Sequence, residues 1–157
     1  MAEPAAPSAG PWGAPAEPRS RRDDLIDRVR QGMRTLGLTR IDYVLVTHYH
    51  LDHVGGTSDL ATSFPEAEIL LHKDDEDLYY GLPQQPLFMG IQSHQMASLG
   101  MAYDDPPKLT RNWQHNEIYE VGELRFLVRH CPGHTPGHVV FHHPESKLAL
   151  VGDVLFR

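Results

Sequence analysis

Cysteine is almost absent from this 157-residue chain, which contains only Cys131. A single thiol excludes an intrachain disulfide and suits a reducing compartment, so we predict a cytoplasmic protein. Long apolar runs are also missing: none approaches the roughly 20 residues that a membrane-spanning helix requires. The sequence therefore predicts no association with a membrane.

Basic side chains are fewer than acidic ones. The chain has 14 Lys and Arg against 21 Asp and Glu, which gives a formal net charge of −7. General nucleic-acid binders carry a basic face, so this balance argues against that class. We expect no nucleic-acid partner.

Large apolar side chains are nearly missing from residues 1–22. This stretch is rich in Ala and Pro, and Trp12 is its one large apolar residue. Such a composition cannot bury enough surface to offset the entropy lost on ordering. We predict a disordered tail at 1–22 and a folded domain at 23–157.

Histidine, by contrast, is abundant, with eleven residues. Four metal-capable side chains follow the apolar run 41–46 within six positions: His48, His50, Asp52 and His53. His48 and His50 continue the period of two of a strand, so both side chains leave the same face. Asp52 and His53 would project from a following helical turn toward a second ion. The spacing thus predicts a two-metal arrangement.

Two further candidate ligands lie far along the chain. His134 sits between Pro132-Gly133 and Pro136-Gly137, two turn sequences that would hold it rigidly. Asp153 follows Gly152 at the end of an apolar run, a plausible place for a bridging carboxylate. Imidazole and carboxylate without thiolate suit zinc, with iron or manganese as alternatives.

Other polar clusters favour ordinary structural roles. The acidic run 74–77 is typical of a solvated helix start, where negative charge complements the helix dipole. His138 could orient a metal ligand or stabilise the turn, with neither role preferred. Cys131 is interpreted as a small buried residue. A lone histidine after a strand is more often structural than a ligand, so we predict no metal role for the remaining histidines.

Periodicity and turn residues predict an α/β fold in which helices cover a sheet and antiparallel strands follow from His115 onward. The predicted helices span about 23–36, 57–63 and 73–80, and the predicted strands span 41–47, 68–72, 117–119, 124–129, 139–142 and 148–151. In the first helix, Asp23 or Asp24 would cap the N-terminus and Gly37 would end it. Core packing is expected to explain its apolar stripe, which consists of Leu25, Ile26, Val29, Met33 and Leu36.

Four segments together resemble the metallo-β-lactamase superfamily, and within it the glyoxalase II-like hydroxyacylglutathione hydrolases. They are THYHLDHVGG at 47–56, GLPQQPLFMG at 81–90, CPGHTPGHVVF at 131–141 and GDVLF at 152–156. The resemblance covers about 23–157. It implies an αββα sandwich, here largely its N-terminal half.

The resemblance also implies residue roles. The counterparts of His48, His50 and His134 hold one ion, those of Asp52 and His53 hold another, and that of Asp153 bridges both. In such enzymes a metal-activated hydroxide attacks a thioester carbonyl, and Asp52 is the residue expected to orient it. The expected function is therefore a thioester hydrolase that binds two zinc ions when intact.

Departures from the family pattern lead to further expectations. The family's first strands and last histidine ligand have no counterpart here, so we expect a chain truncated at both ends, with one ion retained and activity impaired. Exposed sheet edges would then favour oligomerisation. Two alternatives remain open: a mononuclear iron persulfide dioxygenase, which uses the equivalents of His48, His134 and Asp153, and a non-catalytic metal-binding remnant.

Overall fold

The computed structural model describes residues 21–84 and 106–155 as four helices and seven strands, with single 3-10 turns at Leu82–Gln84 and Gly152–Val154. The helices are α1 (Arg21–Leu36), α2 (Leu51–Val54), α3 (Thr57–Ser63) and α4 (Lys73–Gly81). The strands are β1 (Tyr43–Leu45), β2 (Glu68–His72), β3 (Arg111–Trp113), β4 (Ile118–Val121), β5 (Leu124–His130), β6 (Val139–His143) and β7 (Leu148–Leu150).

The strands form two sheets of different type. The first has the order β1-β2-β3 and is parallel, with Val44 opposite Ile69 and Leu71 opposite Asn112. The second, β4-β5-β6-β7, is an antiparallel meander. Helical connections allow the parallel order, whereas two turns and the longer β5–β6 loop join the antiparallel strands. The predicted α/β class, with helices, a sheet and a second sheet, is confirmed.

Strand β2 divides the core because its side chains alternate between two faces. Leu70 faces the second sheet and packs in a cluster with Trp113, Tyr119, Phe126, Val128, Val139 and Phe141. Ile69 and Leu71 face the opposite way, in a second cluster that contains Val46, Val54, Tyr79, Leu82 and Leu109. The first cluster joins the sheets, and the second joins the parallel sheet to its helices.

Helix α1 starts earlier than expected and ends as expected. It begins at Arg21, so Asp23 and Asp24 lie inside its first turns rather than at its N-cap. Gly37 has a φ of +69°, and the amide of Leu38 donates to the carbonyl of Met33, which closes the last turn. The predicted role of Gly37 in ending the helix is therefore confirmed.

The expected apolar stripe of α1 is only partly buried. Ile26 is buried, and Val29 and Met33 are half-buried, whereas Leu36 is 72% exposed. The expectation that core packing explains the whole stripe is thus wrong at its C-terminal end.

Strand boundaries follow the expectations in most places. Strand β2 and helix α3 have the predicted bounds, whereas β1 is shorter than the predicted strand 41–47. Strand β3 was not predicted, because three residues that include Arg111 and Asn112 show no readable apolar period. Residues 1–20, which hold most of the expected tail, and the segment 81–90 from Gln85 onward lie outside the described residues.

The inner face of the antiparallel sheet is incompletely covered at β7. Leu148 and Leu150 pair with His143 and Phe141 and share their face, yet both are 46% exposed. Oligomerisation through this edge stays a prediction. Among the helices of the described ranges, none has the length and apolar character needed to cross a membrane.

The packing between the sheets predicts that two substitutions lower the free energy of unfolding by very different amounts. Phe141 is 1% exposed between the sheets, so Phe141→Ala should lower the free energy of unfolding by about 3–5 kcal/mol through lost transfer energy and a cavity. Leu148→Ala, at the open edge, should cost about 1 kcal/mol or less. Urea titration of both variants measures the difference, and equal losses would contradict this description of the core.

Candidate metal centre

The predicted ligands lie on loops that follow strand ends, and these loops meet at one edge of the two sheets. The histidine loop, residues 47–53, follows the carboxyl end of β1. The β5–β6 loop, residues 131–138, and the segment after β7 lie at the adjacent end of the antiparallel sheet. The amide of Val139 donates to the carbonyl of Thr47 over 2.9 Å, which joins the two loops directly.

Four side chains form the first metal group: His48, His50, His134 and Asp153, whose ligand atoms all lie within 4.8 Å of one another. His134 Nε2 lies 2.9 Å from His50 Nδ1 and 3.4 Å from Asp153 Oδ2. His48 Nε2 lies 3.9 Å from the same carboxylate oxygen. Three imidazoles and one carboxylate oxygen therefore face a common point.

The second metal group consists of Asp52, His53 and Asp153. His53 Nε2 lies 3.1 Å from Asp153 Oδ1 and 3.6 Å from Asp52 Oδ2. The two oxygens of Asp153 thus face different groups, with Oδ2 toward His48 and His134 and Oδ1 toward His53. Such a carboxylate is placed to bridge two ions.

The state of His48 fits a metal ligand. Its side chain is fully buried, and its Nε2 atom has no hydrogen-bond partner in the described part of the chain. Its Nδ1 atom lies 3.1 Å from Thr47 Oγ1, so donation of an Nδ1 proton to that hydroxyl leaves the Nε2 lone pair free. Burial, followed by the neighbouring His53, lowers the pKa of His48 to about 3, so the ring is neutral at physiological pH.

The pKa of His50 is lowered as well, first by burial and then by the nearby His134. Neutral imidazole is the form that binds a metal. Nitrogen and carboxylate donors without a thiolate make both groups suitable for a divalent ion such as zinc, iron or manganese.

Asp153 reaches this position because of Gly152 and His138. Gly152 has a φ of +51°, and an added Cβ would lie 2.7 Å from His138 Nε2 and 2.8 Å from Thr47 Oγ1. The amide of Asp153 donates to His138 Nε2 over 3.1 Å. His138, fully buried and stacked on His48, lies outside the metal groups and supports them. Its ring contacts the segment that carries Asp153, and its carbonyl accepts from the amide of Cys131 at the other end of the β5–β6 loop.

The interpretation of 74–77 as a solvated helix start is wrong for Asp75. That side chain is fully buried, whereas Asp74 and Asp77 are exposed as expected. Asp75 Oδ2 accepts from the amide of Tyr49 and from Thr135 Oγ1, and Oδ1 accepts from the amide of Gly137. One buried carboxylate thus contacts both ligand-bearing loops.

A third group consists of His72, Asp74 and His130, whose ligand atoms also lie within 4.8 Å of one another. It is a poor metal site, because His130 Nε2 is 2.8 Å from the carbonyl of Pro136, to which it donates, and His72 Nδ1 accepts from the amide of Asp74. The two rings stack at 4.0 Å with planes 15° apart, so their lone pairs do not converge. The cluster connects the start of α4 to the β5–β6 loop.

Sequence reasoning missed Asp75, because its position beside the ligand-bearing loops follows from the sheet topology. Asp75 follows β2, and β2 is the parallel neighbour of β1, so both carboxyl ends lie at the same edge of the sheet. Cys131, expected to be buried, is only partly buried. His94 lies outside the described residues.

Comparisons with known proteins place these residues in a family context. The hydroxyacylglutathione hydrolase GloC of Haemophilus influenzae is 32% identical over 143 residues, which are 90% of this chain and 60% of that protein. A hydroxyacylglutathione hydrolase of Ectopseudomonas mendocina is 29% identical over 147 residues, 89% of this chain and 45% of the relative. The chain thus spans about half to three fifths of the length of these relatives.

Solved structures show the same fold. TTHA1623, crystallised in a di-iron-bound form, superposes with a TM-score of 0.64 at 31% identity, over 84% of this chain and 59% of that one. The metallo-beta-lactamase family protein TTHA1429 from Thermus thermophilus gives 0.65 at 23% identity, over 84% and 47%, which bears on the fold alone. The profile of the metallo-beta-lactamase superfamily matches residues 26–157. Together with the two metal groups, this match shows that the chain belongs to the metallo-beta-lactamase superfamily.

Proposed function

We propose that the protein is a metal-dependent hydrolase of acylglutathione-type thioesters. The observation that carries this proposal is the position of Asp153, whose two oxygens face two different donor groups. A shared carboxylate between two ion sites is the arrangement of dinuclear hydrolytic centres. The thioester substrate is supported by the two hydroxyacylglutathione hydrolases to which the chain is similar.

His48, His50, His134 and Asp153 would hold one ion, and Asp52, His53 and Asp153 the other. A divalent ion in such a site polarises a carbonyl oxygen and makes water a stronger nucleophile at neutral pH. Zinc is the first candidate because the donors are imidazoles and carboxylates. Iron is a real alternative, since TTHA1623 is 31% identical and was crystallised with two irons. Manganese suits the same donors.

The chain's own residues supply orientation and proton transfer. His48 and His138 are fully buried and form the inner wall of the site. The side chain of Asp52 is 77% exposed, which leaves its second oxygen accessible to an incoming water. We therefore assign Asp52 the role of orienting the attacking water and accepting its proton.

The substrate and location of the proposed enzyme are compatible. A glutathione thioester is a small anionic molecule of reducing compartments, and Cys131 is a free thiol. We accordingly propose a cytosolic enzyme with a small-molecule thioester substrate.

A mononuclear iron persulfide dioxygenase is the second candidate. Two histidines and one carboxylate, here His48, His134 and Asp153, make up the ligand triad of many non-haem iron oxygenases. The dinuclear hydrolase is favoured because Asp52 and His53 form a second donor group with Asp153, whose Oδ1 atom faces away from the first group. Oxygen uptake with glutathione persulfide by the iron-loaded chain would decide for the dioxygenase.

Metal content gives the first prediction from the site. The sequence alone led us to expect one retained ion, but Asp52, His53 and Asp153 form a second donor group in the described residues. Purified chain should therefore contain close to two divalent ions, as measured by elemental analysis. His48→Ala and His134→Ala should each lose at least one ion, because each removes a nitrogen of the first metal group. His142→Ala is the matched control, since His142 lies outside the metal groups of the described residues.

Equal metal content in His48→Ala and His142→Ala would contradict the assignment of the ligands. Folding is checked in each sample by circular dichroism. A folded wild-type chain that holds no metal would contradict the hydrolase and the dioxygenase alike.

Hydrolysis gives the second prediction from the site. Wild-type chain should cleave a hydroxyacylglutathione, with loss of activity in chelator and recovery when zinc is restored. Asp52→Asn should lower kcat by at least about 100-fold, because the amide cannot accept the proton of the attacking water. Glu123→Gln, an exposed change in the β4–β5 turn, should retain wild-type kcat. An Asp52→Asn variant with full metal content and unchanged kcat would contradict the role assigned to Asp52.

A further inference from the structure

The buried carboxylate of Asp75 lies between two loops that carry metal ligands. Its Oδ2 atom is 3.1 Å from the amide nitrogen of Tyr49 and 2.7 Å from Thr135 Oγ1, and its Oδ1 atom is 2.6 Å from the amide nitrogen of Gly137. All three groups donate, so they satisfy the acceptor-only carboxylate. The described residues provide no Lys or Arg ion pair to Asp75.

The three donors lie close in sequence to the ligands. Tyr49 lies between His48 and His50, and Thr135 follows His134. Any movement of the carboxylate therefore displaces the backbone beside three of the four residues of the first metal group.

The fit around Asp75 leaves little freedom. A Cβ added at Gly137 would lie 2.7 Å from the amide nitrogen of Asp75 and 2.8 Å from its Cγ. Only glycine at position 137 therefore lets the β5–β6 loop pack this closely against Asp75. The start of α4 is fixed on the other side, where His72 accepts from the amide of Asp74 and stacks on His130.

We propose that Asp75 is a positioning residue that sets the separation between His48 and His50 on one loop and His134 on the other, and thereby the metal affinity of the first metal group. The inference rests on the metal-binding part of the proposed function and is independent of the substrate. Loss of partners outside the ligand shell commonly costs about 10–100-fold in metal affinity, because the ligands lose their fixed orientation.

Cobalt is a suitable probe because its visible absorption depends on ligand geometry. Metal-free full-length chain is titrated with Co²⁺ in competition with a chelator, and the absorption spectrum of the loaded protein is recorded. Asp75→Asn should bind cobalt at least about tenfold more weakly, with a changed spectrum. Asp77→Asn removes one charge from the exposed face of the same helix and should match the wild type in both readouts.

A second pair of variants keeps the test valid if Asp75→Asn does not fold. Thr135→Val removes the hydroxyl at nearly constant volume, whereas Thr135→Ser keeps it. The Val variant should weaken cobalt binding and change the spectrum, and the Ser variant should restore both toward the wild type. A purely structural role for the carboxylate would lower the melting temperature of the metal-free chain and leave both cobalt readouts unchanged.

The outcomes separate this inference from the proposed function. Wild-type affinity and spectrum in folded Asp75→Asn, or in Thr135→Val, would overturn the positioning role alone. A wild-type chain that binds no cobalt would refute the metal site and the inference together. A lower cobalt affinity in Asp75→Asn and Thr135→Val supports the inference even if the chain hydrolyses no thioester.

Discussion

The separation between the histidine loop and the β5–β6 loop is the constraint on which the metal centre depends. The two loops belong to different sheets, so the contact between the sheets determines whether the imidazoles converge. The Val139–Thr47 backbone hydrogen bond fixes the separation on one side, and the carboxylate of Asp75 fixes it on the other. A ligand displacement of about an ångström is enough to impair a preorganised site.

The fold meets this constraint by bringing strand ends together. Parallel strands β1 and β2 direct the histidine loop and Asp75 to the same edge of their sheet. In the antiparallel sheet, the end of β5, the start of β6 and the end of β7 are neighbours, and these deliver His134 and Asp153. The shared core around Leu70, Trp113 and Phe141 holds the two edges in contact. Packing far from the site therefore determines its geometry.

Much of this could be predicted from the sequence where the signals are local. The period-two spacing of His48 and His50 placed them on one face, and the turn residues around His134 and the Gly152-Asp153 pair placed the distant candidates. Asp75 could not be found in this way, because an acidic run after a strand has the local signature of a solvated helix start. Its burial depends on Gly137, which is 62 positions away in the chain. Strand β3 was missed because three residues are too few to show a period.

A crystal structure of the zinc-loaded chain, with anomalous scattering data at the zinc edge, would show directly which residues bind the ions. The proposed ligand assignment predicts two anomalous peaks, one surrounded by His48, His50 and His134 and the other by Asp52 and His53, with an oxygen of Asp153 within about 2.2 Å of each. Peaks at His72 and His130, or peaks without Asp153 as a ligand, would contradict it.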